Sequence, residues 1–293
     1  MQNITTQIAA VSKIDSYNHI WLLQGHNCQW RTRNDKNQLP NPKDGEYAAV
    51  VEFEAETGKP ISVSAPLALD VSSKTIHAHI AWSLPKQHQA QFNMWTEAAA
   101  ITDPVLKQFL TDVLSDSKIM HAFYQAKASK DFHHCDNGDL LIHSVQVAML
   151  AKNLANDIGL VKRSQDCVFV AGLLHDIGKI MMFYNSGRHK EDKGVNGQHE
   201  SFNFLVLAEH LNNLKRQDKG LFEVLSAILS SRPSNRRYFE YIEESIVRSA
   251  DHLSAQKDEM ERTFRARHRS QQLYAKAKSG RRLKRLNIPR AND

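Results

Sequence analysis

Ala171-Gly172-Leu173-Leu174-His175-Asp176-Ile177-Gly178-Lys179 is the stretch on which this chain turns. Its apolar run reads as buried helix, and it delivers an imidazole and a carboxylate side by side. These are the two side chains that bind a borderline divalent metal without thiols. Adjacent helical residues point about 100° apart, so one ion can take both only from off the helix flank. Further ligands must come from other helices.

The rest of the chain supplies candidates. Leu140, Leu141 and Ile142 precede His143, and a polar residue seldom enters an apolar helix face without a partner. His143 stands 32 residues before His175, a separation at which an antiparallel helix can return to it. Ser249-Ala250-Asp251-His252-Leu253 places a carboxylate among small and apolar residues, where a metal would compensate a buried Asp251; a helix-surface acid is the plainer alternative. His133 and His134 precede the His143 helix and are expected to line a cleft mouth and touch phosphate, or else to form an ordinary approach segment. The polar segment 185–198 reads as a flap carrying Arg188 and Lys190. Lys179 lies one turn beyond His175, placed either to neutralise a phosphate oxygen or to satisfy helix-end carbonyls.

Upstream the pattern differs. Residues 1–85 show period-two runs at 19–23, 28–33, 47–54, 61–64 and 76–82, separated by turn formers such as Asn34-Asp35 and Asp44-Gly45. Five short strands predict a small β-barrel or an open sheet, and an OB-like barrel fits in count and size. Trp21, Trp30, Phe53 and Trp82 are expected mostly to fill its core. Trp30 beside Arg31 and Arg33 is the best nucleic-acid surface there. After Pro85 the spacing becomes helical: Asp103-Pro104 is a well-formed helix start, and Val105, Phe109 and Val113 follow as a stripe. The reading is an α+β two-domain chain: residues 1–85 a β domain, 86–255 all-helical with its last helix ending near Ala255, and 256–293 a basic tail.

Composition bounds the function. The chain has 293 residues, 41% hydrophobic and 24% charged, as in a soluble globular protein. No apolar window suffices to cross a bilayer, and the N-terminus has no signal-peptide pattern. Three scattered cysteines argue against a disulfide framework, and the expected location is cytoplasmic. Arg262 to Arg290 holds 11 Lys/Arg and no acid, whereas residues 1–261 carry 27 Lys/Arg against 31 Asp/Glu. A mildly acidic body with a cationic end fits a polyanion partner, nucleic acid before membrane, and Arg281, Arg282, Lys284 and Arg285 are its densest part.

With these residues in hand, the sequence resembles the HD-domain metal-dependent phosphohydrolases, whose His…His-Asp…Asp pattern is matched by His143, His175-Asp176 and Asp251. The resemblance covers roughly residues 100 to 255. Within that superfamily, Asp103-Pro104, Phe123-Tyr124-Gln125-Ala126, His133-His134 and Gly138-Asp139-Leu140-Leu141-Ile142-His143-Ser144 look most like the YhaM-type 3′→5′ exoribonucleases, which join an OB-fold domain to an HD domain. The same element is similar to the HD-like domain of TraI/MobH-type relaxases. The resemblance implies an all-α HD-type domain and a divalent ion, Mn²⁺ or a related transition metal, on His143, His175, Asp176 and Asp251. His199 matches the additional histidine of such sites. Two departures are present: residues 229–234 contain no histidine where relatives commonly carry a pair, and Gly138-Asp139 replaces Gly-Gly. One ion and two ions are both left open.

The expected activity is phosphodiester hydrolysis, a 3′→5′ exonuclease on single-stranded RNA or DNA, with Asp176 and Lys179 as catalytic residues. Two alternatives stand beside it. One is a nucleotide phosphohydrolase. The other is a nucleic-acid-binding or conjugative-transfer accessory protein with a weakened site, which the missing histidines favour. No membrane partner is expected, and a homo-oligomer is left open.

Overall fold

A computed structural model describes residues 3–15, 17–26, 28–33, 46–129, 136–184, 197–230, 239–265 and 274–286. The chain divides into two compact units, Met1–Gln125 with Phe204–Leu225, and Ala126–Asn203 with Ser226–Asp293.

The first unit is built on five antiparallel strands, β1 (Ile4–Asp15), β2 (Ile20–Gln24), β3 (Gln29–Arg33), β4 (Glu46–Glu54) and β5 (Pro60–Pro66), in the order β3-β2-β1-β4-β5. The long β1 pairs with β2 through its second half and with β4 along most of its length. Register shifts in the β1–β2 and β4–β5 pairings help the sheet curl. Period-two alternation puts Ala9, Val11, Trp21, Leu23, Ala49, Val51 and Phe53 on one face, where they form the sheet's core.

Two expectations are corrected here. The sheet is a curled half-barrel, not a closed barrel: β3 and β5 are edge strands with no pairing between them among the described residues. The stretch 76–82 is no strand but part of helix α1 (Ser73–Trp82), and the fifth strand is instead β1. Ser72 caps α1 by accepting from Thr75 N, and Ile76 and His79 are buried at helical spacing.

Three more helices follow, α2 (His88–Ala99), α3 (Pro104–Ser115) and α4 (Ser117–Gln125). Asp103 caps α3 as expected, accepting from Leu106 N at 2.9 Å. A buried polar network ties α1, α2, α3 and α4 together. His79 Nε2 donates to Leu114 O (2.8 Å) and its Nδ1 accepts from Tyr124 Oη (3.1 Å), while Gln91 donates to Tyr124 Oη (2.9 Å). Every polar atom of the imidazole is satisfied in the neutral form.

The second unit is helical, with α5 (Asp139–Asp157), α6 (Lys162–Leu174), the short α7 (Ile180–Phe183) and α11 (Ile242–Phe264). Between α7 and α11 the chain forms α8 (His199–Val206), α9 (Ala208–Gln217) and α10 (Lys219–Leu229). From Cys167 to Leu174, α6 is buried at every residue, which makes it the central element. A Cβ on Gly172 would lie 2.8 Å from Ala148 Cα, so glycine lets α5 and α6 touch at backbone distance. α11 runs to Phe264, nine residues beyond the helix end expected at Ala255. Within the basic run, β6 (Tyr274–Lys276) and β7 (Arg282–Lys284) form an antiparallel hairpin.

Candidate metal centre

The apolar helix α6 ends at Leu174, and the turn beyond it lets two adjacent residues share a centre. His175 keeps helical angles, Asp176 moves to φ −109°, ψ 10°, and Ile177–Lys179 form a 3₁₀ turn. This sparsely populated bridge conformation redirects the carboxylate. Asp176 Oδ2 then lies 3.3 Å from His175 Nε2 and 3.3 Å from His143 Nε2, the latter on α5. From α11, Asp251 Oδ1 approaches His143 Nε2 at 3.2 Å and His175 Nε2 at 3.6 Å. Four expected site residues thus converge from α5, α11 and the turn that ends α6. His199, at the start of α8, joins them through Asp176 Oδ1 at 2.8 Å.

The histidines are oriented from behind. His175 Nδ1 donates to Gly172 O at 2.8 Å, which turns Nε2 inward. Ser254 Oγ donates to Gln146 Oε1 at 2.9 Å, so its lone pairs face His143 Nδ1, 3.1 Å away. The proton of His143 is thereby assigned to Nδ1, leaving the Nε2 lone pair toward the carboxylates. His175 Nε2 is buried and makes no aligned hydrogen bond. One carboxylate oxygen and the two imidazole nitrogens of His143, His175 and Asp176 lie within 4.8 Å of one another. Two imidazole nitrogens with a carboxylate oxygen, one nitrogen being a buried orphan, fit a borderline divalent cation.

The electrostatics agree. Burial alone would lower the pKa of His175, but Asp176 and then Asp251 outweigh it and raise it to about 10. Burial would raise Asp176, yet His175 and Lys179 hold its carboxyl well below the usual range. Asp251 is likewise held low, against burial, by the neighbouring imidazoles of His143 and His175. The two carboxylates make a strongly negative field, which a proton on His175 or a metal cation can equally neutralise.

Lys179 does not point at helix-end carbonyls: its Nζ lies 2.5 Å from Asp176 Oδ2. The turn that holds it is clipped by Asn203, fully buried, which accepts from Gly178 N (2.7 Å) and donates to His175 O (2.6 Å) and Leu229 O (3.0 Å). Ser254 and Asn203 escaped the sequence reading because a single small polar residue on a helix carries no spacing signature. Ser254 could have been found from its i+3 relation to Asp251.

Other expected residues stand elsewhere. His133, His134, Arg188 and Lys190 lie outside the described residues, as do positions 231–234. In the first unit, alternation along β3 exposes Arg31 and Arg33 and turns Trp30 to the opposite face, so the three do not form one surface. Arg281 is engaged by Glu259 (3.4 Å), and the Arg285 guanidinium sits over the Phe264 ring (4.4 Å). Arg282 and Lys284 are exposed on β7.

Residues 140–256, which contain all the converging ligand candidates, match the family model described as the HD domain. This stretch is an HD domain. Ribonuclease Y of Mesoplasma florum is 33% identical over 115 residues, covering 38% of this chain and 22% of that protein. The chain therefore spans about a fifth of the length of this relative. No solved structure matches the chain. Among the described residues, no helix is long and apolar enough to cross a membrane.

Proposed function

We propose that this chain is a metal-dependent phosphohydrolase that cuts phosphodiester bonds in single-stranded nucleic acid. The observation that carries the reading is the buried, unbonded Nε2 of His175, aimed with His143 at the carboxylates of Asp176 and Asp251. His143, His175, Asp176 and Asp251 would hold the ion. What a divalent ion of the Mn²⁺ kind supplies, once bound, is a lowered pKa for water and polarisation of a phosphoryl oxygen.

The chain's own residues do the rest. Gly172 and Ser254 keep both Nδ1 atoms protonated, so that the Nε2 lone pairs face inward. His199 steadies the second oxygen of Asp176, leaving that carboxylate in one orientation to align an attacking water. The Lys179 ammonium, beside the same carboxylate, offsets the negative charge that a phosphate brings.

Nucleic acid as substrate is supported by the likeness to a protein named a ribonuclease and by the cationic run near the C-terminus. The 3′→5′ exonucleolytic direction rests on the resemblance to YhaM-type enzymes. The test is digestion of 3′-labelled and 5′-labelled single-stranded RNA and DNA with Mn²⁺, beside Asp176→Ala. Stepwise shortening from the 3′ end, absent in the variant, is the expected result. Internal cuts would retain the phosphodiesterase and remove the direction. No cleavage of either polymer would overturn the proposal in favour of a nucleotide substrate or a non-catalytic binder.

A further inference from the structure

The cationic run is not uniform, and the hairpin sorts it. Arg262 is committed inside the second unit, to Asp258 at 2.7 Å and Asp139 at 3.3 Å. Arg281 and Ser279 both engage Glu259 of α11, and Arg285 covers Phe264. These contacts, with Ala275 and Ala277 buried, dock the hairpin on the far part of α11.

A different set faces outward. Directly paired residues of an antiparallel ladder share a face, and the register here is Tyr274 opposite Lys284 and Lys276 opposite Arg282. Period-two alternation puts both pairs on the same face, and all four residues are exposed. None makes an ion pair or side-chain hydrogen bond among the described residues. Lys276 opposite Arg282 is a like-charge cross-strand pair, an arrangement that costs stability. Tyr274, 63% exposed, presents a ring beside three cations.

We propose that the Tyr274, Lys276, Arg282 and Lys284 face is a docking platform for single-stranded nucleic acid, the cations holding successive phosphates and Tyr274 stacking on a base. Stacking with phosphate contacts is the chemistry of sequence-tolerant single-strand binding. A bound polyanion also relieves the Lys276–Arg282 repulsion. Glu259, where the hairpin turn is fastened, lies eight residues along α11 from Asp251, about 12 Å at the helical rise. A bilayer fits less well, because apart from Leu286 beyond β7 the face offers no aliphatic anchor. The choice of this polyanion rests on the proposed function.

The test is fluorescence anisotropy of the full chain with a labelled twenty-nucleotide oligouridine in EDTA, across a salt series. The proteins compared are the parent, Lys276→Ala/Arg282→Ala/Lys284→Ala, Lys284→Ala alone, Tyr274→Ala, Tyr274→Phe and, as control, Lys257→Ala. The triple variant should lower the slope of log K against log salt by about 2, and Lys284→Ala by about 0.7. Tyr274→Ala should weaken binding about tenfold at unchanged slope, with Tyr274→Phe restoring it. Unchanged affinity and slope in the triple variant would overturn the platform. So would loss of sedimentation with phosphatidylserine vesicles while oligouridine binding persists. Hairpin-dependent binding without hydrolysis in Mn²⁺ refutes the enzymatic reading and keeps the platform; hydrolysis with unaltered Kd and KM in the triple variant does the reverse.

Discussion

The hydroxyl of Ser254 lies 3.1 Å from Nδ1 of His143, and it determines which nitrogen of that imidazole faces Asp176 and Asp251. Ser254 sits one turn after Asp251 on α11, so one helix supplies both a ligand candidate and the group that orients its neighbour. Ser254→Ala should lower Mn²⁺ affinity about 10- to 100-fold while leaving the helical content intact. Isothermal titration with far-UV circular dichroism checks both parts. Affinity equal to the parent's would show that His143 needs no such orientation.

Asn203 joins the His175 turn to α8 and α10. Asn203→Ala strips partners from Gly178 N, His175 O and Leu229 O, all in a buried setting, and should cost about 3 kcal/mol. Gly178→Ala reaches a similar end by another route. Its Cβ would lie 2.1 Å from His199 O and 2.6 Å from Asn203 N, a clash worth about 1–3 kcal/mol that also pushes His199 from Asp176. Urea unfolding of both variants gives the comparison, and parent-like midpoints would contradict the clip.

Filling the metal centre should be measurable without any substrate. Binding only to the folded chain, Mn²⁺ at a hundredfold over its Kd should stabilise it by about 2.7 kcal/mol. Thermal melts with and without the ion, repeated on His175→Ala and Asp176→Ala, should show a rise confined to the parent. An equal rise in all three proteins would place the ion elsewhere.

Acid should loosen the first unit. His79 is held near a pKa of about 4 by burial, only partly offset by the Leu114 carbonyl. His26 is held at about 4 by burial and then by the charge of His88, against which its ring is stacked at 3.6 Å. Both folded values lie below the unfolded value of about 6.5, so the unfolded chain takes up protons that the folded chain refuses. Their contribution is complete above pH 6.5 and is lost as pH falls from about 6.5 toward 4. For His79 that gap corresponds to about 3 kcal/mol. Denaturant midpoints at pH 7, 5.5 and 4.5 should fall in order, and His79→Gln should flatten the fall.

Much of the site was legible because its signal is local: an apolar helix running into His175-Asp176, and a histidine and an aspartate set into other apolar helices. Such patterns survive without knowledge of packing. The misread segment shows the opposite case. Residues 76–82 alternate as a strand would, yet Ile76 and His79 are equally spaced for a helix, and Ser72 offered the cap that decides between them. The strand at Ile4–Asp15 was missed because its run of buried residues, Ile8 to Ser12, reflects cover on both sides of the sheet and so lacks alternation. Closure of the sheet was illegible for another reason: it depends on whether two edges meet, which no single strand encodes.

The order in which the centre's residues occur along the chain has a consequence for synthesis. His143, His175 and Asp176 leave the ribosome first, and Asp251 and Ser254 follow 75 or more residues after Asp176. At about 5–20 residues per second that interval lasts roughly 4–15 s. Throughout it the nascent chain holds both histidines and one carboxylate but not the helix that sets the proton of His143. Competence at this centre is therefore deferred until α11 has been translated and packed.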